Sequence, residues 1–155
     1  DSVAELCPAG IQLAHTIGER LAKHGGAALI IDYGYGQSQP GDTLQALLNH
    51  QPHAVLEQPG AADITAHVDF SMLARSAMEA GARASRLLDQ GLFLTALGLN
   101  QRAAMLKASA LPEVAAEIDA AVERLTAADQ MGTLFKVLAI SHPDMPTVAG
   151  FEDTA

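Results

Sequence analysis

An apolar run early in the chain places the strongest constraint on its fold. The run Ala27–Ile31 ends at Asp32, and it follows a helix-like segment, residues 8–24, that stops at Gly25-Gly26. Because the run shows no alternation of polar and apolar residues, it predicts a strand buried on both faces, typical of a parallel sheet under helices. Residues 33–41, rich in glycine, predict a loop. Helix, glycine turn, buried strand and loop together indicate the α/β class.

The middle of the chain carries a mixed pattern. Residues 42–56 leave helix and strand open, because leucines at helical spacing are interrupted by Pro52. Asp69 predicts the N-cap of a helix that runs to Ala80, and the segment Arg83–Asp89 predicts a strand.

A long helical block, about residues 91–130, precedes the last predicted strand, Leu134–Ile140. Within the block, Asn100 is expected to cap one helix and Pro112 to open another. The second helix is expected to bury an apolar stripe made of Val114, Ile118, Val122 and Leu125. Residues 147–155 are expected to form a loosely held tail.

The predicted strands are too few for a complete doubly wound sheet. Three strands are too few to lie under a layer of helices on each face, so residues 1–146 are expected to form part of a larger sheet. A sheet that ended at the first strand would expose an unpaired apolar edge, which proteins avoid. Since the sequence starts at Asp1 rather than Met, more chain is expected on the N-terminal side.

Charge and cysteine content limit the partners and the compartment. Nine Lys and Arg against 18 Asp and Glu give a net charge of −9, which disfavours nucleic acid and anionic membrane surfaces. The single cysteine, Cys7, excludes an internal disulfide framework and fits a reducing compartment. The sequence has no apolar run near the ~20 residues that span a bilayer, so no membrane insertion is expected.

The end of the first strand is the best candidate for a ligand site. Ligands of open α/β sheets bind outside the carboxyl ends of strands, which selects Asp32, Tyr33, Gly34 and Tyr35. Asp32 can accept a hydrogen bond or bind a cation, either tyrosine can stack on a flat ring, and Gly34 permits close backbone approach. A second interpretation is equally well supported by the positions of these residues. In it, Asp32 satisfies N–H groups of the loop and Tyr33 packs under a helix.

Two polar residues before the second helix extend this candidate site. Asp69 is expected to act as a helix cap, and His67 is expected to point into the cleft. His50 and His53 are three residues apart, but Pro52 between them argues against a helical metal pair. No metal site is predicted.

Several separate blocks of the sequence occur in the order found in one known family. They are Gly25–Tyr35, Gly41–Ala46, His50, Pro59–Gly60, Asp63–Phe70, Gln90–Leu94, Leu97–Gly98, Arg102–Ala103 and Met131–Val137. Together they span about residues 8–140 and resemble the MidA-like methyltransferases. These are the bacterial and mitochondrial relatives of the arginine methyltransferase needed for assembly of respiratory complex I.

The resemblance implies a Rossmann-like class I methyltransferase domain that uses S-adenosylmethionine. The chain would supply the later strands of its sheet, with the helical block as an insertion before the last strand. A protein substrate is implied, with a complex I subunit as one candidate, and a homodimer stays open. The location implied is cytoplasmic in a bacterium or the mitochondrial matrix in a eukaryote.

The chain departs from the family in one respect. The family's acidic-Gly-x-Gly loop and its Asn-Glu-Phe-Phe-Asp-Ala segment have no counterpart here, so these residues alone are not expected to bind the cofactor well. The resemblance places Asp32 and Tyr33 along the methyl-transfer cleft, with His67 and Asp69 nearby, and identifies no catalytic base. A non-catalytic assembly scaffold that binds a partner through the same fold is the alternative.

Overall fold

The first helix, α1, comprises Pro8–His24 in the computed structural model, which describes residues 2–152. Pro8 occupies the first turn, where its missing N–H costs no hydrogen bond. Gly25, with φ of 78°, ends the helix, and its N–H donates to the carbonyl of Leu21. The helix predicted over residues 8–24 is confirmed.

Strand β1 comprises Ala27–Tyr35 and is longer than predicted, because Tyr33 continues the strand instead of starting a loop. The expectation that both its faces are buried is also wrong. Ile30 packs into the core under the helices, whereas Leu29 and Ile31 on the opposite face each remain 48% exposed. Among the described residues, that second face is only partly covered at β1, and an apolar run cannot report which neighbours a strand has.

The main sheet has the order β5-β1-β8-β6, with β7 also beside β8. The added strands are β5 (Val68–Asp69), β6 (Arg83–Ala84), β7 (Leu88–Asp89) and β8 (Phe135–Ser141). β1 pairs with β5 in parallel but with β8 in antiparallel fashion over seven residue pairs. The sheet is therefore mixed, which corrects the expectation of a parallel sheet.

The strand predicted over residues 83–89 is split in two. At the break, the backbone N–H of Ser85 donates to the carbonyl of Ala139 at 2.8 Å. The Ser85 hydroxyl then accepts the N–H of Ala139 at 3.0 Å. The Ser85 hydroxyl thus takes the place of a backbone carbonyl in the ladder, so regular strand pairing is interrupted between β6 and β7.

One edge of β1 is nearly free in the part of the chain that the structure describes. Only Gly34 and Tyr35 pair on that side, with Val68 and Asp69. Residues 27–33 have no strand partner there among residues 2–152. This matches the apolar edge expected from the sequence.

Residues 42–56, left open by the sequence, form a hairpin. Strands β2 (Gln45–Leu48), β3 (Gln51–His53) and β4 (Asp63–Thr65) make a small antiparallel sheet. Asn49 and His50 adopt positive φ of 52° and 62°, as a two-residue hairpin turn with the twist of its strands requires. Pro52 is accommodated because β3 is an edge strand, which has a strand neighbour on one side only and so does not need every backbone N–H for pairing.

Helix α2, Phe70–Glu79, packs with α1 on one face of the main sheet. Gly18 allows the close crossing, because a Cβ there would lie 2.6 Å from the carbonyl oxygen of Ala77. The core of this layer includes Leu21, Phe70, Ala77, Leu138 and Ile140. A second cluster, on the opposite face, consists of Leu88, Phe93, Val137, Ala139 and Phe151.

The helical insertion before the last strand is confirmed. It contains α3 (Gln90–Ala96), α4 (Leu99–Lys107), α5 (Pro112–Thr126) and the short α6 (Met131–Leu134). Pro112 opens α5 as predicted, but Gly98, with φ of 87°, occupies the N-cap of α4 in place of Asn100. No described helix of the insertion is long and apolar enough to cross a membrane, and the same holds for α1 and α2.

The expected buried stripe of α5 is not buried. Val114 is exposed, and Ile118, Val122 and Leu125 are only half-buried. The helix contacts the other helices of the insertion rather than the sheet, so only its edge is covered. Periodicity identified the helix correctly but not the extent of its packing.

The expected loose tail is wrong for the residues up to 152. Phe151 is 5% exposed and lies against Phe93, with ring centroids 5.2 Å apart. Val148 packs against the same cluster, and the preceding glycine, Gly150, has φ of 85°. Residues 153–155 lie outside the described part of the chain.

Candidate functional site

A cavity of about 420 Å³ opens at the carboxyl end of β1. It lies between the segment before α1, the first turns of α1, the strand β5 and the start of α2. Four of the six predicted site residues line it, namely Asp32, Tyr35, His67 and Asp69. Tyr33 and Gly34 are not among its lining residues, and Glu5, which the sequence reasoning missed, is.

Gly34 brings the two halves of the site together without lining the cavity. It pairs with Val68, and a Cβ on Gly34 would lie 2.1 Å from the carbonyl oxygen of that residue. Only a glycine therefore permits this parallel pairing, which sets Asp69 beside Tyr35, with His67 against Tyr33. The close backbone approach expected at Gly34 is therefore to the backbone of β5 in the same chain.

The structure places Asp32 at the cavity, where it also accepts a main-chain N–H, whereas Tyr33 takes a packing role. One Asp32 carboxylate oxygen accepts the N–H of Tyr33 at 2.8 Å, yet the half-buried side chain also lines the cavity. Tyr33 packs edge-on against His67, at 5.6 Å between ring centroids, and against Phe135, at 5.5 Å. Tyr33 thus supports the histidine from behind.

Asp69 is a helix cap, as predicted. Its carboxylate accepts hydrogen bonds from the Met72 N–H at 3.1 Å, the Ser71 hydroxyl at 2.6 Å and the Ser38 hydroxyl at 2.5 Å. Burial alone would raise the pKa of Asp69, but these hydrogen bonds outweigh it and hold the pKa below its usual value. A carboxylate engaged in this way is a poor base.

Replacing Asp69 by alanine is expected to destabilise the protein by about 1 kcal/mol, as loss of an N-cap usually does. The Ser38 and Ser71 hydroxyls would lose their acceptor as well. Chemical denaturation measures the effect, with Asp63→Ala on the exposed surface of β4 as the matched control. Equal stability of the two variants would contradict a capping role for Asp69.

The same group gives stability a defined pH dependence. Because the folded pKa of Asp69 is lowered, its contribution is fully present above the unfolded pKa, about 3.9, and is lost as pH falls through the folded pKa. Asp69→Asn keeps a good capping residue but removes this titration. We expect its stability to fall less steeply below about pH 4 than that of the wild type.

Glu5 enters the site through Thr43. Its carboxylate accepts the Thr43 N–H at 2.9 Å and the Thr43 hydroxyl at 2.5 Å, and the Thr43 hydroxyl oxygen accepts the N–H of His67 at 2.9 Å. The hydrogen bond from the Thr43 hydroxyl is the largest cause that lowers the pKa of Glu5. No local pattern signals this contact, because Glu5 and Thr43 are 38 residues apart.

The charges around the cavity favour a cationic ligand. Its lining contains the carboxylates of Glu5, Asp32 and Asp69, and no lysine or arginine. Burial, helped by the nearby charges of Asp69 and Glu5, raises the pKa of Tyr35, so this phenol keeps its proton at neutral pH and remains a hydrogen-bond donor. The remaining walls are mainly apolar, with Ile11, Ile30, Met72 and Leu73 among them.

Residues 2–152 contain no group of three or more His, Cys, Asp or Glu side chains placed to hold an ion. His50 lies in the hairpin turn and His53 in β3, away from the cavity lining. The Nε2 atom of His53 is buried without a hydrogen-bond partner among these residues.

The fold and the site define an α/β protein of the Rossmann-like class with a ligand cavity at the strand ends. Residues 1–88 match the family described as "Putative S-adenosyl-L-methionine-dependent methyltransferase". The chain belongs to this family.

Curated relatives agree with this assignment. The chain is 39% identical to the "Protein arginine methyltransferase NDUFAF7 homolog, mitochondrial" of Drosophila melanogaster, over 87% of the chain and 32% of the fly protein. It is 32% identical to the human "Protein arginine methyltransferase NDUFAF7, mitochondrial", over 97% of the chain and 38% of the human protein. The chain therefore spans about a third of the length of these relatives.

Two crystal structures of proteins from Burkholderia thailandensis share the fold. One native structure superposes with a TM-score of 0.80 at 29% identity, covering 94% of this chain and 40% of the other. The second, bound to S-adenosyl-homocysteine, has a TM-score of 0.76 at 30% identity and covers 92% of this chain and 38% of the other. The chain thus corresponds to about two fifths of the length of each of these structures.

Proposed function

We propose that this chain forms the acceptor side of an S-adenosylmethionine-dependent methyltransferase. The observation that carries the proposal is the acidic, largely apolar cavity at the carboxyl end of β1, in a fold shared with a protein bound to S-adenosyl-homocysteine. The full-length protein would complete the site with the main cofactor loop, which these 155 residues lack.

The residues present fit part of such a cofactor. A sulfonium is a cation on an apolar scaffold, and the cavity offers Glu5, Asp32 and Asp69 among apolar walls. Asp32 and Tyr35 are the residues that we expect to face the methyl-bearing end. When bound, S-adenosylmethionine supplies a methyl group to an acceptor nucleophile.

The chain's own residues would then act by binding and orientation. The carboxylate of Asp32 would attract and align a cationic acceptor, since charge-assisted hydrogen bonds are strong and directional. The neutral hydroxyl of Tyr35 would donate a hydrogen bond across the cavity. The apolar walls would exclude water and strengthen both interactions.

The acceptor proposed is an arginine side chain of a protein. A planar guanidinium carries a charge that suits the carboxylates of the cavity, and the relatives are named protein arginine methyltransferases. By the family resemblance, the substrate would be a subunit of respiratory complex I, and the location in a eukaryote would be the mitochondrial matrix. A bacterial protein would act in the cytoplasm, and a homodimer is included in this proposal as one possible assembly.

Calorimetry of the full-length protein with S-adenosylmethionine tests the proposal. The wild type is expected to bind, and Asp32→Asn is expected to reduce binding or turnover by roughly 10-fold or more, the usual cost of losing a hydrogen bond to a charged group. Asp63→Asn, at an exposed position of β4, is the matched control. Circular dichroism checks that both variants keep the wild-type fold.

The outcomes separate the enzyme from its alternative. Absence of cofactor binding by the wild-type full-length protein would favour a scaffold that uses the fold only to bind a partner. Binding with unchanged kinetics in Asp32→Asn would instead remove Asp32 from the site while leaving the methyltransferase assignment intact.

A further inference from the structure

The cavity wall that carries His67 is held by a distant part of the chain. Thr43 donates two hydrogen bonds to the Glu5 carboxylate and accepts one from the His67 main chain. Three segments far apart in sequence therefore meet at one threonine hydroxyl. All three border or support the same cavity, because Glu5 and His67 both line it.

We propose that Glu5 is a positioning residue, which acts through Thr43 to fix the main chain at His67 and so sets the shape of the acceptor cavity. The inference rests on the proposed methyl transfer, since it gives Glu5 a part in placing the acceptor. The hydrogen bonds that link Glu5 to the main chain of His67 run through the Thr43 hydroxyl, so the effect of Glu5 on that main chain is indirect.

The need for such a contact follows from the local backbone. Residues 66–67 lie between β4 and β5 and belong to neither strand, so no sheet ladder fixes them. The hydroxyl of Thr43 supplies the acceptor that a ladder would otherwise provide for the N–H of His67. Without it, a half-buried N–H would lose its partner, which carries a desolvation cost.

Two further contacts support the same arrangement. The ring of His67 rests against Tyr33, so the main chain and the side chain of the histidine are held from separate directions. The N–H of Gly41 donates to the carbonyl of Val3 at 3.0 Å, which joins the loop before Thr43 to the segment before α1. The segment that carries Glu5 is therefore joined to the loop at two points, by Gly41 to Val3 and by Thr43 to Glu5.

The decisive variant is Thr43→Val in the full-length protein, because valine keeps the shape of threonine and removes the hydroxyl. We expect the His67 amide to exchange with solvent about tenfold faster, as loss of one hydrogen bond implies. We expect kcat to fall roughly 10- to 100-fold, the scale of small misplacements at a reacting centre. Affinity for S-adenosylmethionine, measured by calorimetry, should fall less than kcat.

Two comparisons separate positioning from general stability. Thr43→Ser keeps the hydroxyl and should restore both the slow exchange at His67 and the turnover lost in Thr43→Val. Thr16→Val removes an exposed hydroxyl on α1, which donates only within its own helix to Gln12, and should leave turnover unchanged.

Glu5 itself is tested by Glu5→Gln, with Glu57→Gln in the turn between β3 and β4 as the matched control. Glutamine keeps one acceptor oxygen, so only one of the two hydrogen bonds from Thr43 can persist. The expected change at His67 has the same direction as in Thr43→Val and is smaller. The control should match the wild type in both amide exchange and kcat.

The proposal is overturned if Thr43→Val keeps both the wild-type exchange at His67 and the wild-type kcat. It is also overturned if Thr43→Ser fails to restore the turnover, because the effect would then follow stability alone. A wild-type protein that transfers no methyl group would refute the proposed function instead. The amide exchange would still decide whether Glu5 and Thr43 hold His67.

Discussion

Replacing Gly34 by alanine is expected to destabilise the protein by about 3 kcal/mol or more, at the upper end of the usual cost of overpacking. The new Cβ would lie 2.1 Å from the Val68 carbonyl oxygen and 3.0 Å from Cε2 of Phe70. The first of these is backbone, which cannot yield without separating β5 from β1. Since β5 follows His67 and contains Asp69, the cavity would be distorted together with the sheet.

Urea denaturation of the full-length protein measures the loss, and hydrogen exchange at Val68 and Asp69 reports whether the pairing with β1 is lost. Gly41→Ala is the matched control, because a Cβ at Gly41 would meet no atom within 4 Å. A Gly34→Ala variant as stable as Gly41→Ala would show that the parallel pairing is looser than the structure indicates.

Replacing Phe70 by alanine is expected to cost about 3–5 kcal/mol, the range measured for buried phenylalanines. Phe70 is 1% exposed, is the first residue of α2 and contacts the core strands through Leu138 and Ile140. Its removal would leave a void directly behind Gly34 and Asp69. We expect both the unfolding midpoint and the turnover to fall.

Thermal and urea unfolding measure the effect, with two comparisons. Phe70→Leu retains most of the volume and should cost less than about 1.5 kcal/mol. Leu56→Ala, at a position 90% exposed, should change stability little. Similar losses in Phe70→Ala and Leu56→Ala would contradict the central position of Phe70 in the core.

Local chemistry made part of the fold predictable. Helix α1 was predicted with both of its bounds, because Pro8 and Gly25 act within one turn of the helix ends. The capping role of Asp69 followed from the same kind of signal. The predicted insertion of helices before the last strand is also observed, since helical periodicity persists over many residues.

The wrong predictions concern features that depend on distant parts of the chain. The apolar run at Leu29 and Ile31 suggested burial on both faces, but burial depends on which elements lie above a strand. Ser85 interrupts a predicted strand because its hydroxyl, in place of a backbone carbonyl, accepts the N–H of Ala139, a partner 54 residues away. Phe151 is buried because Phe93 offers it a surface, which no tail composition can reveal.

The end of the first strand shows the same division. By itself, the sequence selected six candidate residues, among them Asp32, Tyr35, His67 and Asp69, because strand ends and helix starts carry local signals. Only the tertiary structure decided that these four line one cavity, that Tyr33 lies behind it and that Glu5 joins it through Thr43. The physical reason is that hydrogen bonds and packing between segments distant along the chain leave no periodic trace in the sequence, whereas caps, turns and amphipathic faces do.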